Sequence, residues 1–203
     1  MTEKDIYIKR AQFISKAAEL NQEFYFASGR TRLELNSIYN NHFTGSSLWN
    51  LFGKAAKNLE CSYNVAVRNM FGLPLQTHRN LIEVITKRKH LMTVLYARFI
   101  SFIQQIQRSP KVAPKMLLNL VLNDVRSTTG NNIRNILLLT NKDTVNQVVR
   151  SDIMKLQYHP LPEDLQWKDV LLSELLEHHE DTLHTPHFSH DEIGLMVHDL
   201  CVN

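Results

Sequence analysis

Apolar residues recur along this chain every three or four positions, the period of an α-helix that buries one face. The first stretch predicts a helix over about 6–27, with Ile6, Phe13, Ala17, Leu20, Phe24 and Ala27 on one side and Gly29 as its stop. A shorter helix is predicted over 33–43, and Thr44-Gly45-Ser46-Ser47 reads as a turn ending in an N-cap. The clearest stripe follows: Leu48, Phe52, Ala55, Leu59, Tyr63, Ala66 and Met70, broken by Gly72-Leu73-Pro74. Thr77 is placed to cap a helix running to Ile85. Lys87-Arg88-Lys89 introduces another, which aligns Leu91, Leu95, Phe99, Phe102 and Ile106 before Ser109-Pro110 ends it. Beyond it the pattern predicts a helix over 114–125, a polar break over 127–132, a helix over 133–139 and short turns over 141–160. Two tail helices are predicted, over about 163–178 and 189–201. The expected fold class is therefore all-α: an irregular bundle of about eight to ten helices with a short C-terminal helical tail.

Charge divides the chain at the Pro160-Leu161-Pro162 break. Residues 1–160 carry 22 basic and 10 acidic side chains, a net of +12; residues 161–203 carry 1 and 10, a net of −9. Two domains are read from this, a basic helical body over 1–160 and an acidic, histidine-rich tail over 161–203. A body this positive favours polyanionic partners, because each neutralised phosphate releases counterions. The plainer alternative is a solvated basic surface. The tail is either a separate subdomain or an internal mimic of nucleic acid. Two cysteines, Cys61 and Cys201, make no disulfide framework and suit a reducing compartment. The N-terminal residues contain no apolar signal core, and the longest apolar runs are far too short to span a bilayer. The expected location is intracellular, cytoplasmic or nuclear, with no membrane partner.

The residues that chemistry would need are missing. Neither a phosphate-binding glycine loop nor a GxSxG elbow occurs, and no Asp-Asp pair occurs to hold two metal ions. No catalytic residue and no cofactor is expected. His178, His179, His184, His187, His190 and His198 lie among acids in the tail, but their spacing fits no zinc pattern, so they read as an exposed titratable surface with no metal. The cations are better organised. Lys87-Arg88-Lys89 opens a helix, with Arg68, Arg79, Arg98, Arg108 and Lys111 in the same stretch, and such a row can track a phosphate backbone. The same residues on a helix's polar face are also ordinary.

Five strings in one order carry a resemblance. They are Leu35-Asn36-Ser37-Ile38-Tyr39 through Gly45-Ser46-Ser47-Leu48-Trp49, then Ser62-Tyr63-Asn64-Val65-Ala66-Val67-Arg68, then Gly72-Leu73-Pro74-Leu75-Gln76-Thr77-His78-Arg79. Arg98-Phe99-Ile100-Ser101-Phe102 and Arg126-Ser127-Thr128-Thr129-Gly130-Asn131-Asn132 complete the set. Spanning residues 35–139, they resemble the post-palm, thumb-like region of non-LTR (LINE-type) retrotransposon reverse transcriptases. The resemblance implies a helical thumb that grips RNA or an RNA/DNA duplex. It implies nucleic-acid contacts by Arg68, Arg79, Arg98 and Arg126, to which the charge pattern adds Lys87, Arg88 and Lys89. It makes Trp49, Asn64, Pro74, Thr77, His78 and Gly130 structural motif residues. Arg68 and Arg126 also have a structural reading, holding helices together through carbonyls or acids. The family's palm carboxylates, fingers, endonuclease and CCHC knuckle are absent from this sequence. The chain therefore reads as a truncated or split polymerase fragment, to be complemented by a palm-bearing reverse transcriptase chain. Two rival readings are a helical protein-interaction module and a helix-turn-helix DNA-binding protein whose turn is Gly72–Gln76.

Overall fold

The computed structural model describes residues 3–39, 43–75, 77, 79–86, 88–124 and 126–156. Among them the fold is all-helical, with no strand. Seven helices have at least eight residues: α1 (Glu3–Glu23), α2 (Gly29–Tyr39), α3 (Lys54–Phe71), α4 (Arg79–Thr86), α5 (Leu91–Arg108), α6 (Val112–Asn123) and α7 (Thr128–Thr140). A five-residue helix, α8 (Arg150–Met154), and two 3₁₀ turns, Ser46–Leu48 and Val145–Gln147, complete the set. The two predicted tail helices lie outside the described residues, as does the acidic domain over 161–203.

The differences from the sequence reading are at helix ends, where a local hydrogen bond overrides periodicity. Gly29, expected to stop the first helix, is instead the first residue of α2. Ser28 supplies the cap: its Oγ accepts from Thr31 N at 3.1 Å. The chain turns over Phe24–Phe26. The stripe from Leu48 does not begin a helix there; a 3₁₀ turn and an irregular segment over Trp49–Gly53 precede α3. The polar break at 127–132 is mostly helical, because Ser127 caps α7 by accepting from Gly130 N at 3.2 Å.

The described chain falls into two compact units. The first comprises Met1–Gln12, His42–Cys61 and Lys89–Tyr158. Its centre is α5, which packs against α6, α8 and both 3₁₀ turns. Leu91, Leu95, Phe99 and Ile103 recur every four residues along α5 and are all buried. Tyr96 stacks on Phe52, ring centroids 5.1 Å apart and planes within 8°. Gln104 donates through Nε2 to the carbonyls of Val145 (3.2 Å) and Val148 (2.9 Å), which ties the second 3₁₀ turn to α5. Glu60 and His90 are buried together, Oε1 and Nε2 3.2 Å apart.

The second unit contains Phe13–Asn41 and Ser62–Arg88. Phe13 stacks on Tyr63 at 5.7 Å. Gly29 lies hard against the end of α3: a β-carbon there would sit 2.9 Å from both the Met70 carbonyl oxygen and Phe71 Cδ1. The lack of a side chain is what lets α2 start so close. Gly29→Ala raises intrinsic helix propensity, yet the backbone contact cannot yield easily. We expect a net destabilisation of about 1–3 kcal/mol, read as a lower urea midpoint; an unchanged or higher midpoint would show that α2 moves aside freely.

Candidate nucleic-acid interface

The cations are unevenly placed. The first unit holds 15 Lys and Arg against 6 Asp and Glu, a net of +9, while Phe13–Asn41 and Ser62–Arg88 hold 7 against 4, a net of +3. Three quarters of the excess charge in the basic body therefore sits in one unit.

Helix α5 displays part of it. Its inner face is the apolar row described above, and its outer face follows from the same periodicity. Arg98, Ser101, Gln105 and Arg108, spaced three, four and three residues apart, are all exposed. The two guanidinium-bearing positions are separated by about 15 Å of helix rise. No Asp or Glu occurs anywhere in α5, so nothing on the helix itself competes for these cations. Ser101 Oγ donates back to the Ala97 carbonyl at 2.8 Å and leaves the row small and flat at that point. Lys111 is exposed just beyond the helix, at the N-cap of α6.

The other expected contact residues separate into distinct roles. Arg68 is 9% exposed, and it donates from Nε (3.2 Å) and Nη2 (2.6 Å) to the Thr77 carbonyl. Its guanidinium closes the segment that follows α3. Thr77 is buried and completes the same knot, donating from Oγ1 to the Pro74 carbonyl at 2.8 Å, with its N–H donating there at 3.1 Å. Arg88 pairs with Glu34 at 2.6 Å. The Arg88 hydrogen bond, and then its charge, hold the Glu34 carboxyl below its ordinary range. Lys89 is exposed. Arg126 is exposed in the turn between α6 and α7, where its backbone N–H donates to Asp124 Oδ1 at 2.8 Å. Arg79 begins α4; His78 and Lys87 lie outside the described residues.

Trp49 is 1% exposed and meets the Phe43 ring edge-on at 6.0 Å. Asn64 is buried. A β-carbon at Gly130 would sit 2.9 Å from the Val121 carbonyl oxygen, so α7 approaches the backbone of α6 as only glycine allows. The periodicity gave no hint of Asn132. It is buried, and its amide bridges two backbone groups about 80 residues earlier: Nδ2 donates to the Trp49 carbonyl at 2.7 Å, and Oδ1 accepts from Leu51 N at 3.1 Å. Its signal in the sequence is its place at the end of the Arg126–Asn132 string, next to another Asn. Glu60 and His90 carry no sequence signal of their burial, since each alone looks like a surface residue.

No protein-family model, no curated protein and no solved structure matches this chain. Among the described residues no helix is long and apolar enough to cross a membrane, and no cluster of three metal-ligating side chains occurs.

Two of these arginines give opposite expectations. Arg68→Gln should lower stability by roughly 1.5–3 kcal/mol in urea, by removing a charged donor from a buried carbonyl. Arg98→Gln should change the stability measured in urea by no more than about 0.5 kcal/mol. Similar losses at both positions would contradict these roles.

Proposed function

We propose that this chain is a thumb-like region of a LINE-type reverse transcriptase and that it holds RNA, or an RNA/DNA duplex, by its phosphate backbone. The observation that carries the mechanism is the outer row of α5, two arginines on an acid-free face within a unit of net charge +9. The family reading rests on the five ordered motifs between residues 35 and 139. Several motif residues have packing work that such a scaffold would need: Arg68 with Thr77 and Pro74, Gly130 against α6, and Trp49 beside Asn132.

In this reading the chain positions nucleic acid and makes no bond. Arg98 and Arg108 contact phosphates, with Lys89, Lys111 and Arg126 adding charge from the same unit. Phosphate contacts fix register without reading sequence, so affinity depends on salt far more than on base order. The catalytic carboxylates would come from a palm-bearing polymerase polypeptide, the proposed protein partner.

The test is a salt titration of affinity for an RNA/DNA duplex and for RNA, by filter binding or fluorescence anisotropy. Replacing Arg98 and Arg108 by Gln should each reduce the slope of log K against log salt by about one, equally for unrelated sequences. Failure of the native chain to bind either nucleic acid at ~50 mM salt would overturn the proposal.

A further inference from the structure

Three residues join α5 to α6, and they run extended. Ser109 has φ −57° and ψ 137°, Lys111 has φ −76° and ψ 132°, and Pro110 stands between them. These are polyproline angles. The proline imposes them, since its ring fixes its own φ and bars the residue before it from the helical region. Among the described residues no other serine or threonine is followed by proline. The plain role of such a pair is to stop one helix before the next.

The surroundings add more than a stop needs. Pro110, Lys111, Val112 and Ala113 are all exposed, so the chain is open on the side after Ser109. Ser109 itself is half-buried and held to α5 by a backbone bond from its N–H to the Ile106 carbonyl at 3.2 Å. A terminal turn held this way opens readily. Its Oγ accepts from Lys111 N at 3.3 Å, a long bond that leaves the hydroxyl proton for a base to take. Arg108 precedes it and Lys111 follows at the second position, both exposed. No Asp or Glu occurs from Leu91 to Asn123. The hydroxyl therefore stands in a segment that is extended, accessible and flanked by cations only.

We propose that Ser109 is a phosphorylation site for a proline-directed protein kinase, and that phosphate at this position closes the α5 row to nucleic acid. A kinase cleft that offers no acceptor to the backbone N–H after the target serine selects proline there, because proline has no N–H to strand. Pro110 meets that condition, and its fixed backbone presents the serine already extended. In the transfer, Ser109 Oγ attacks the γ-phosphorus of magnesium-ATP. A new O–P bond forms as the bond from that phosphorus to the β,γ-bridging oxygen breaks. ADP leaves with the electron pair, and the hydroxyl proton passes to the kinase's catalytic Asp.

The added group carries about −1.5 to −2 charge and three acceptor oxygens. It lies beside Arg108, the end of the outer row, and two residues from Lys111. Both cations then have a phosphate on their own chain, at a far higher effective concentration than one on a nucleic acid. The net charge of the first unit falls from +9 to about +7. The switch rests on the nucleic-acid reading of α5; the modification site does not.

The test treats the full chain with magnesium-ATP and a purified cyclin-dependent or mitogen-activated kinase. Peptide mass mapping locates the phosphate and separates Ser109 from Thr185-Pro186. Ser109 should be phosphorylated in the native chain and not in Pro110→Ala. Phosphorylation should weaken binding to an RNA/DNA duplex at least about tenfold at ~50 mM salt and lower the slope of log K against log salt by about two. Ser109→Ala should bind as the native chain does and lose its response to the kinase. No phosphate at Ser109, or phosphate there that is indifferent to Pro110→Ala, overturns the site. A phosphorylated chain that binds as tightly as the native one overturns the switch. A native chain that binds no nucleic acid overturns the proposed function and the switch with it, while the mass map still decides the site.

Discussion

One planar amide holds together parts of the first unit that the chain keeps far apart. The segment Trp49–Gly53, between a 3₁₀ turn and α3, has no helical ladder to satisfy its backbone. Asn132 satisfies it from α7, donating to the Trp49 carbonyl and accepting from Leu51 N. Both bonds are buried, where an unpaired backbone group costs about 1–3 kcal/mol. With that segment fixed, the Trp49 side chain is buried against Phe43 and Phe52 stacks on Tyr96 of α5. The arginine row then follows from the packing: α5 has its apolar face engaged, so Arg98 and Arg108 can only face outward.

Periodicity made the helical class and the inner face of α5 readable. Leu91, Leu95 and Phe99 are buried where their spacing puts them. Phe102 and Ile106, on the edge of the same predicted face, are half-buried. The boundaries were less readable, because each depends on one hydrogen bond that composition does not reveal. Ser127 looks like loop until its hydroxyl is seen to cap α7. Gly29 looks like a stop until Ser28 starts a helix in front of it. The candidate site was readable as a set of cations but not as their division of labour. Arg68 and Arg98 look alike in a sequence; one is buried and bound to a carbonyl, and the other is exposed.

The charge map also relocates the basic body. Counted along the sequence it extends over residues 1–160. Counted by compact unit, most of its excess lies in the first unit, which holds α5, α6, α7 and α8. The Lys87-Arg88-Lys89 run, prominent as a string, contributes less than its length suggests, since Arg88 is paired with Glu34. Surface pairs of this kind add little stability, but they do reduce the charge offered to a polyanion.

The first unit is assembled from three separated stretches of chain. That has a consequence for synthesis. Residues leave the ribosome in order, at about 5–20 per second. Trp49 and Leu51 therefore emerge well before Asn132, and α5 before the carbonyls of Val145 and Val148 that Gln104 will bind. Until the last of these segments appears, the Trp49 carbonyl and Leu51 N–H lack the Asn132 amide, and α5 lacks the second 3₁₀ turn and α8. This unit cannot be completed before its third stretch has emerged, so its yield in a cell depends on what shields those groups during the wait.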